Sequence, residues 1–157
     1  MDETDIHARV ADSFGRMAFM ATLGAELVSV APGRVELTCG HVEGFTQQHG
    51  FLHAGVLSAL LDSACGWAAL TLMAPGHAVL TVEFKVNLLR PADGQRFDFV
   101  AEVIKPGRTL TVCDATAIAD GDGSRPVATM TATLMACLLY TSPSPRDQRG
   151  SRMPSSA

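Results

Sequence analysis

The chain has 157 residues, of which 47% are apolar and 18% are charged, and its formal net charge at pH 7 is −4. This length fits one domain with a real hydrophobic core. The acidic balance argues against a nucleic-acid partner, because phosphate binding needs a basic surface. No apolar run reaches the ~18 residues that a membrane span needs, which argues against a membrane protein. Residues 1–5 are acidic, unlike a secretory signal, and the four cysteines form no C-x-x-C motif, so we predict a reduced, cytoplasmic protein.

The composition changes abruptly at Cys137. Residues 137–157 hold three of the eight prolines and the only tyrosine, and they show no periodicity. Such a segment is typical of a disordered C-terminal tail. It also resembles a translated transposase sequencing adaptor, with residues 148–150 as a variable index between two constant halves. We therefore predict one domain over residues 1–136 and a non-native tail over 137–157.

In chain order, the first half of the domain predicts helix, hairpin and helix. Apolar residues recur at helical spacing up to about residue 20, which predicts an N-terminal helix over residues 1–20. Two short strands follow at 25–30 and 34–39, joined by a turn that makes a hairpin. A polar loop then leads into a long helix from about residue 53 to 73, which a Pro-Gly pair ends.

Four strands are predicted after this helix, at residues 80–89, 96–105, 109–119 and 127–136. In the first of them apolar and polar residues alternate: Val82, Phe84, Val86 and Leu88 are apolar, and Thr81, Glu83, Lys85 and Asn87 are polar. The short turns between successive strands favour antiparallel pairing. The fold class is therefore α+β, with the long helix against an antiparallel sheet of five or six strands.

The long helix is apolar or small on nearly every side, which predicts burial all round. One sheet covers only one side of a helix, so we expect a second copy of the chain to cover the other. That other side consists of small residues: Gly55, Ser58, Ala59, Cys65, Gly66 and Ala69.

Asp62 lies in the middle of this small side and is the only Asp, Glu, Lys or Arg between Glu43 and Glu83. A buried, unpaired carboxylate costs roughly several kcal/mol. Either Ser58 or Ser63 satisfies it, or it acts as a general base or nucleophile. Cys65, which is close to it on the helix, is either a nucleophilic thiol or a small packing residue.

An ordered set of motifs accompanies Asp62. Gln47, Gly50 and the triplet His53-Ala54-Gly55 precede it, and the segment TVEFKVNLLRPA at 81–92 and the pair Gly107-Arg108 follow it. This set resembles the hotdog-fold acyl-CoA thioesterases, and among them the phenylacetate-degradation (PaaI-type) group. The resemblance implies a hotdog fold, in which the sheet wraps the central helix. It also implies hydrolysis of a small aromatic or short- to medium-chain acyl-CoA.

The resemblance also implies roles for individual residues. Asp62 would be the general base or the attacking carboxylate, and Thr81 would orient the water. The Ala54 N–H at the helix start would form an oxyanion hole, with the Gln47 side chain as the second donor. His53 and Gly55 would shape the helix start.

The spacing between His53 and Asp62 bears on where the site lies. Nine residues turn a helix by 900°, so the two side chains point to opposite sides and are poorly placed to meet within one subunit. A site shared across a homodimer resolves this, and such sharing is also what the resemblance implies. A homotetramer built from such dimers is the other expected assembly.

Three basic residues are candidates for contacting the coenzyme A phosphates: Arg90, Arg108 and Lys85. Each of them is otherwise a solvated surface charge. Coenzyme A enters as part of the substrate, and we predict neither a bound cofactor nor a metal ion. A non-catalytic acyl-CoA-binding hotdog domain is the alternative function, but the presence of both Asp62 and Gln47 favours the enzyme.

Overall fold

Three helices and six strands make up residues 3–138, which are the part of the chain described by the computed structural model. They follow one another as α1 (Glu3–Gly15), α2 (Ala18–Leu23), β1 (Glu26–Ala31), β2 (Arg34–Gly40), α3 (Ala54–Thr71), β3 (His77–Leu88), β4 (Arg96–Lys105), β5 (Leu110–Ala119) and β6 (Pro126–Leu138). A short 3-10 turn at Glu43–Phe45 lies between β2 and α3.

The six strands form one antiparallel sheet in the order β1-β2-β4-β5-β6-β3. Tight turns join β4 to β5 and β5 to β6, so these strands pair as sequence neighbours. β3 follows α3, which crosses the sheet, and β3 therefore lies at the opposite edge from β1. The predicted α+β class is confirmed, with six strands.

The hydrophobic core lies between α3 and one face of this sheet. Leu60 and Leu61 of α3 are fully buried, as are Phe97 and Phe99 of β4 and Leu134 of β6. Among the described helices, α3 alone has the length and hydropathy of a membrane span, but 61% of it is buried inside the protein. Its apolar composition is therefore that of a core helix.

The N-terminal helix is shorter than predicted, because the helical conformation is interrupted after Gly15. α1 ends there, where glycine has a low helix propensity. Met17 then has an extended backbone, and α2 begins at the next residue. α2 then buries Met20 and Leu23 in the core.

The prediction that a second chain must cover the whole small side of α3 is wrong for the C-terminal half of the helix. Residues 64–71 are all buried within one chain, where Cys113 of β5 and Val79 of β3 lie against them. Water reaches only the first half, where Gly55 is exposed and Ala59 is half-buried. These residues are already covered within one chain, so they do not require a partner there.

β6 continues two residues past the predicted end of the domain at Ala136. Cys137 and Leu138 pair with Ala78 and His77 of β3. The rest of the predicted tail, residues 139–157, lies outside the described residues, together with residues 1 and 2.

Arg9 ties α1 to the end of α3. Its guanidinium donates hydrogen bonds to the carbonyl oxygens of Leu70 at 3.4 Å, Met73 at 2.8 Å and His77 at 2.7 Å. Leu70 lies in the last turn of α3, Met73 follows that helix and His77 begins β3, so Arg9 joins α1 to the connection between α3 and β3. Partial burial lowers the pKa of Arg9 from its usual value, but a guanidinium remains charged at physiological pH.

We expect Arg9→Met to lower the free energy of unfolding by about 2–3 kcal/mol, because it removes a charged donor from three carbonyls. Urea denaturation measures this loss. Arg16→Gln is the matched control, since its ion pair with Asp12 is exposed and is expected to change stability by less than about 0.5 kcal/mol. A loss no larger than that of the control would contradict the tethering role of Arg9.

Candidate active site

Asp62 lies midway along α3, and its carboxylate has one hydrogen-bond partner in the described chain. Its Oδ1 accepts a 2.8 Å hydrogen bond from the Thr81 hydroxyl on β3. The expectation that Ser58 or Ser63 satisfies it is wrong: the Ser58 hydroxyl donates to the carbonyl of Ala54, a frequent arrangement for serine inside a helix. Thr81 therefore holds the carboxylate directly.

A β-bulge in β3 places Thr81 beside Asp62. Strict alternation would put Thr81 on the opposite face of the sheet from Phe84. The pairing shifts by one residue between Thr81 and Glu83, however, so that Thr81 lies opposite Leu134 and Phe84 lies opposite Ala132. Leu134 and Ala132 are both buried on the helix side of β6. The bulge thus turns Thr81 towards α3, as bulges beside functional sites often do.

His53 caps the start of α3. Its Nδ1 accepts a 2.8 Å hydrogen bond from the Gly55 N–H. A Cβ at position 55 would lie only 3.0 Å from this nitrogen, so glycine leaves room for the imidazole. The Ala54 N–H donates to no acceptor among the described residues, and it lies at the positive end of the helix dipole.

Gln47 lines the same cavity as Ala54. Its side-chain oxygen accepts a hydrogen bond from the His49 N–H, which leaves its amide NH₂ available as a donor. The cavity has a volume of about 270 Å³, and its other walls are apolar apart from Arg90. Two donors at one cavity are what an oxyanion hole requires.

Asp62 and Thr81 line a different cavity. It lies between α1, α3 and β3 and has a volume of about 400 Å³. It shares no lining residue with the cavity of Gln47 and Ala54. One chain therefore does not bring the carboxylate and the helix start together, in line with their half-turn offset along α3.

The three basic residues that were predicted to contact coenzyme A lie apart from one another. Arg90 lies beside the Gln47 cavity, and its guanidinium donates a 2.7 Å hydrogen bond to the carbonyl of Pro126. Arg108 lines a separate cavity near the end of α3, and Lys85 is exposed on β3. Arg125, which no motif marks, shares a third cavity of about 580 Å³ with Arg90. Within residues 3–138, no cluster of three His, Cys, Asp or Glu could hold a metal ion.

Cys65 is a packing residue and not a nucleophile. It is fully buried, and the adjacent Cys113 thiol, together with burial, raises the pKa of Cys65 well above its usual value. The reactive form of cysteine is the thiolate, which these surroundings disfavour. Cys39 is similar, because burial and then Asp98 raise the pKa of its thiol to about 11.

We expect a thiol reagent to modify Cys39 and Cys65 slowly in the folded protein near neutral pH, since both are buried and protonated. Mass spectrometry of peptides from native and urea-unfolded samples measures the two rates. Unfolding should accelerate both reactions by orders of magnitude. Rapid modification of Cys65 in the native protein would contradict its assignment as a packing residue.

The comparisons with known proteins agree on one family. Residues 49–125 match the family described as the thioesterase superfamily. A thioesterase family protein from Silicibacter pomeroyi, whose crystal structure is known, is 61% identical to this chain in sequence. The two structures superpose with a TM-score of 0.82, and the match covers 85% of this chain and 98% of that one.

Two further proteins are more distant. The PaaI protein of the E. coli phenylacetic acid degradation operon has the same fold, with a TM-score of 0.77 at 20% identity; the match covers 84% of this chain and 93% of that one. The 1,4-dihydroxy-2-naphthoyl-CoA hydrolase of Listeria monocytogenes is 29% identical over 96 residues, which are 61% of this chain and 78% of that protein.

Proposed function

The chain belongs to the thioesterase superfamily and is a thioester hydrolase; from this premise we propose that it hydrolyses an acyl-CoA in a site shared by two chains. Asp62 acts as the general base or attacking carboxylate, and the Ala54 N–H and the Gln47 amide stabilise the oxyanion. The hydrogen bond from Thr81 to Asp62, at the margin of a cavity, carries this proposal. Membership of a hydrolase family also favours the enzyme over a non-catalytic binding domain.

The surroundings of the Asp62 carboxylate suit this role. Among residues 3–138, the four ion pairs link other residues, so no basic side chain neutralises Asp62. Thr81 holds Oδ1 and leaves Oδ2 available to a water molecule or to the substrate. A carboxylate fixed on one oxygen and free on the other is a suitable general base.

The proposed reaction proceeds through a tetrahedral intermediate. Asp62 takes a proton from water as the water oxygen attacks the thioester carbonyl carbon, and the carbonyl oxygen becomes an oxyanion. The Ala54 N–H and the Gln47 NH₂ donate to that oxyanion, and removing one such donor typically costs about 10²–10³ in rate. The intermediate then collapses, the C–S bond breaks, and the proton passes to the coenzyme A sulfur. If Asp62 attacks directly, an anhydride forms as the C–S bond breaks and the coenzyme A thiolate leaves, and water then hydrolyses the anhydride to the free acid and the Asp62 carboxylate.

Two chains supply the site in this proposal because one helix cannot. Ala54 and Asp62 are eight residues apart, which is about 12 Å along the axis of a helix, too far for one thioester carbonyl to contact both. A partner could cover the first half of α3 and the neighbouring part of β3, where Phe84 and Leu88 lie on the helix side yet are about half exposed. Exposed apolar side chains on an edge strand favour association with another chain.

For the substrate, we propose an aromatic or a short- to medium-chain acyl-CoA. The Listeria relative is named for hydrolysis of an aromatic acyl-CoA, which supports the aromatic class. Arg90, beside the Gln47 cavity, is the best placed of the three basic candidates for a coenzyme phosphate. The reaction as written needs no cofactor or metal ion, and it is compatible with a cytoplasmic protein.

We expect Asp62→Asn to lower kcat by at least about 10²-fold, because an amide cannot take a proton from water. Asparagine can still accept the Thr81 hydrogen bond, so the melting temperature should change little. Thiol release from acyl-CoAs measures the rate. Asp114→Asn is the matched control, since Asp114 accepts a similar bond from Thr131 on an exposed part of the sheet. Wild-type turnover by Asp62→Asn would refute the mechanism.

A mixing experiment tests the shared site. Gln47→Ala disables the oxyanion-hole side of the site, and Asp62→Asn disables the carboxylate side. If the two sides come from different chains, a heterodimer of the two variants contains one intact site and one doubly damaged site. Co-expression of differently tagged chains should restore about one quarter of wild-type activity, because half of the dimers are mixed and each has one working site of two. Activity no higher than the mean of the two variants alone would show that each site lies within one chain.

A further inference from the structure

Gly66 is a buried glycine in the interior of α3, and packing does not explain it. Glycine inside a helix costs about 1 kcal/mol relative to alanine. A Cβ at this position would have a single neighbour within 4 Å outside its own helix, Val79 Cγ1 at 3.7 Å, which is an ordinary van der Waals contact. Alanine would therefore fit and stabilise the helix, so the glycine must provide something other than stability.

The missing side chain leaves space in the cavity of Asp62. Gly66 lines that cavity, and it lies four residues after Asp62, on the same face of the helix and about 6 Å further along its axis. We propose that this cavity holds the acyl group of the substrate and that Gly66 sets the largest acyl group that the cavity accepts. The inference rests on the proposed function, since Asp62 marks where the thioester lies.

The other walls of the cavity fit a bulky apolar occupant. Trp67 and Leu70 of α3, Val79 of β3 and Met17 from the segment after α1 contribute apolar surface. The charged groups at the rim are engaged elsewhere: Arg9 donates to three carbonyls, and Arg16 pairs with Asp12. A closed apolar cavity of about 150 Å³ can hold benzene, so about 400 Å³ of open cavity accommodates a ring-sized or larger acyl group.

α1 adds a wall that the family match does not include. The match spans residues 49–125, whereas α1 lies at Glu3–Gly15. The Trp67 indole donates a 3.0 Å hydrogen bond to Ser13 of α1, and its ring packs on Phe14 with centroids 5.3 Å apart. The N-terminal helix thus fixes the side chain that forms one side of the acyl site.

The test compares Gly66→Ala with the wild type on a series from acetyl-CoA and propionyl-CoA to octanoyl-CoA and phenylacetyl-CoA. The added methyl group should lower kcat/KM for the large substrates by about 10–200-fold, the usual discrimination for one methyl group in an apolar pocket. The short substrates should lose much less kcat/KM than the large ones, and the melting temperature should stay the same or rise. Gly123→Ala adds the same group in open space and is the control.

Met17→Ala provides the opposite change, because it widens the cavity at an exposed position, where truncation is expected to cost little stability. It should raise kcat/KM for octanoyl-CoA relative to acetyl-CoA. One result would overturn this inference and leave the proposed function standing. In that result the wild type is active and Asp62→Asn is inactive, but Gly66→Ala slows every substrate equally or slows none. If the wild type hydrolyses no acyl-CoA, the proposed function is overturned and this inference falls with it.

Discussion

Asp62 is the one carboxylate of α3, a helix that is otherwise apolar or small and mostly buried, and the arrangement around it follows from that constraint. A carboxylate in such a place needs a donor, and the donor is Thr81, which the bulge of β3 turns towards the helix. No cation neutralises the charge among the described residues. The result is a half-buried carboxylate at the edge of a cavity, with one oxygen held by Thr81 and the other available, which is the arrangement that base or nucleophilic chemistry needs.

The two halves of α3 have different environments, and the division explains both stability and site. From residue 64 onward the helix is enclosed by the sheet and by α1, and Arg9 caps its end. Before residue 64 the helix is partly open, and its free Ala54 N–H faces a cavity separate from that of Asp62. A second chain that covers the open half would bring the donors of one chain to the carboxylate of the other. In this account, the open first half of α3 is the reason both for the assembly of two chains and for the formation of the catalytic site between them.

Much of this could be predicted from periodicity and turn residues, and the exceptions have specific causes. The bounds of β4 and the start of α3 after His53 agree with the structure, because strong breaker residues flank both. The bulge beside Thr81 could not be predicted, because apolar and polar residues alternate regularly in the sequence around it. The break after Gly15 depends on what α2 can bury. Gly66 belongs to no motif, and a role for it can be proposed only from the space that the absence of a side chain leaves in the cavity.

The measurement that tests the shared site most directly is a crystal structure with an acyl-CoA analogue in which a methylene group replaces the thioester sulfur, so that the ketone cannot be hydrolysed. The account predicts that the ketone oxygen accepts hydrogen bonds from the Ala54 N–H and the Gln47 amide of one chain. It also predicts that the carboxylate of Asp62 from the other chain lies beside the carbonyl carbon. A ketone held by Ala54 and Asp62 of the same chain, or bound away from Asp62, would contradict it.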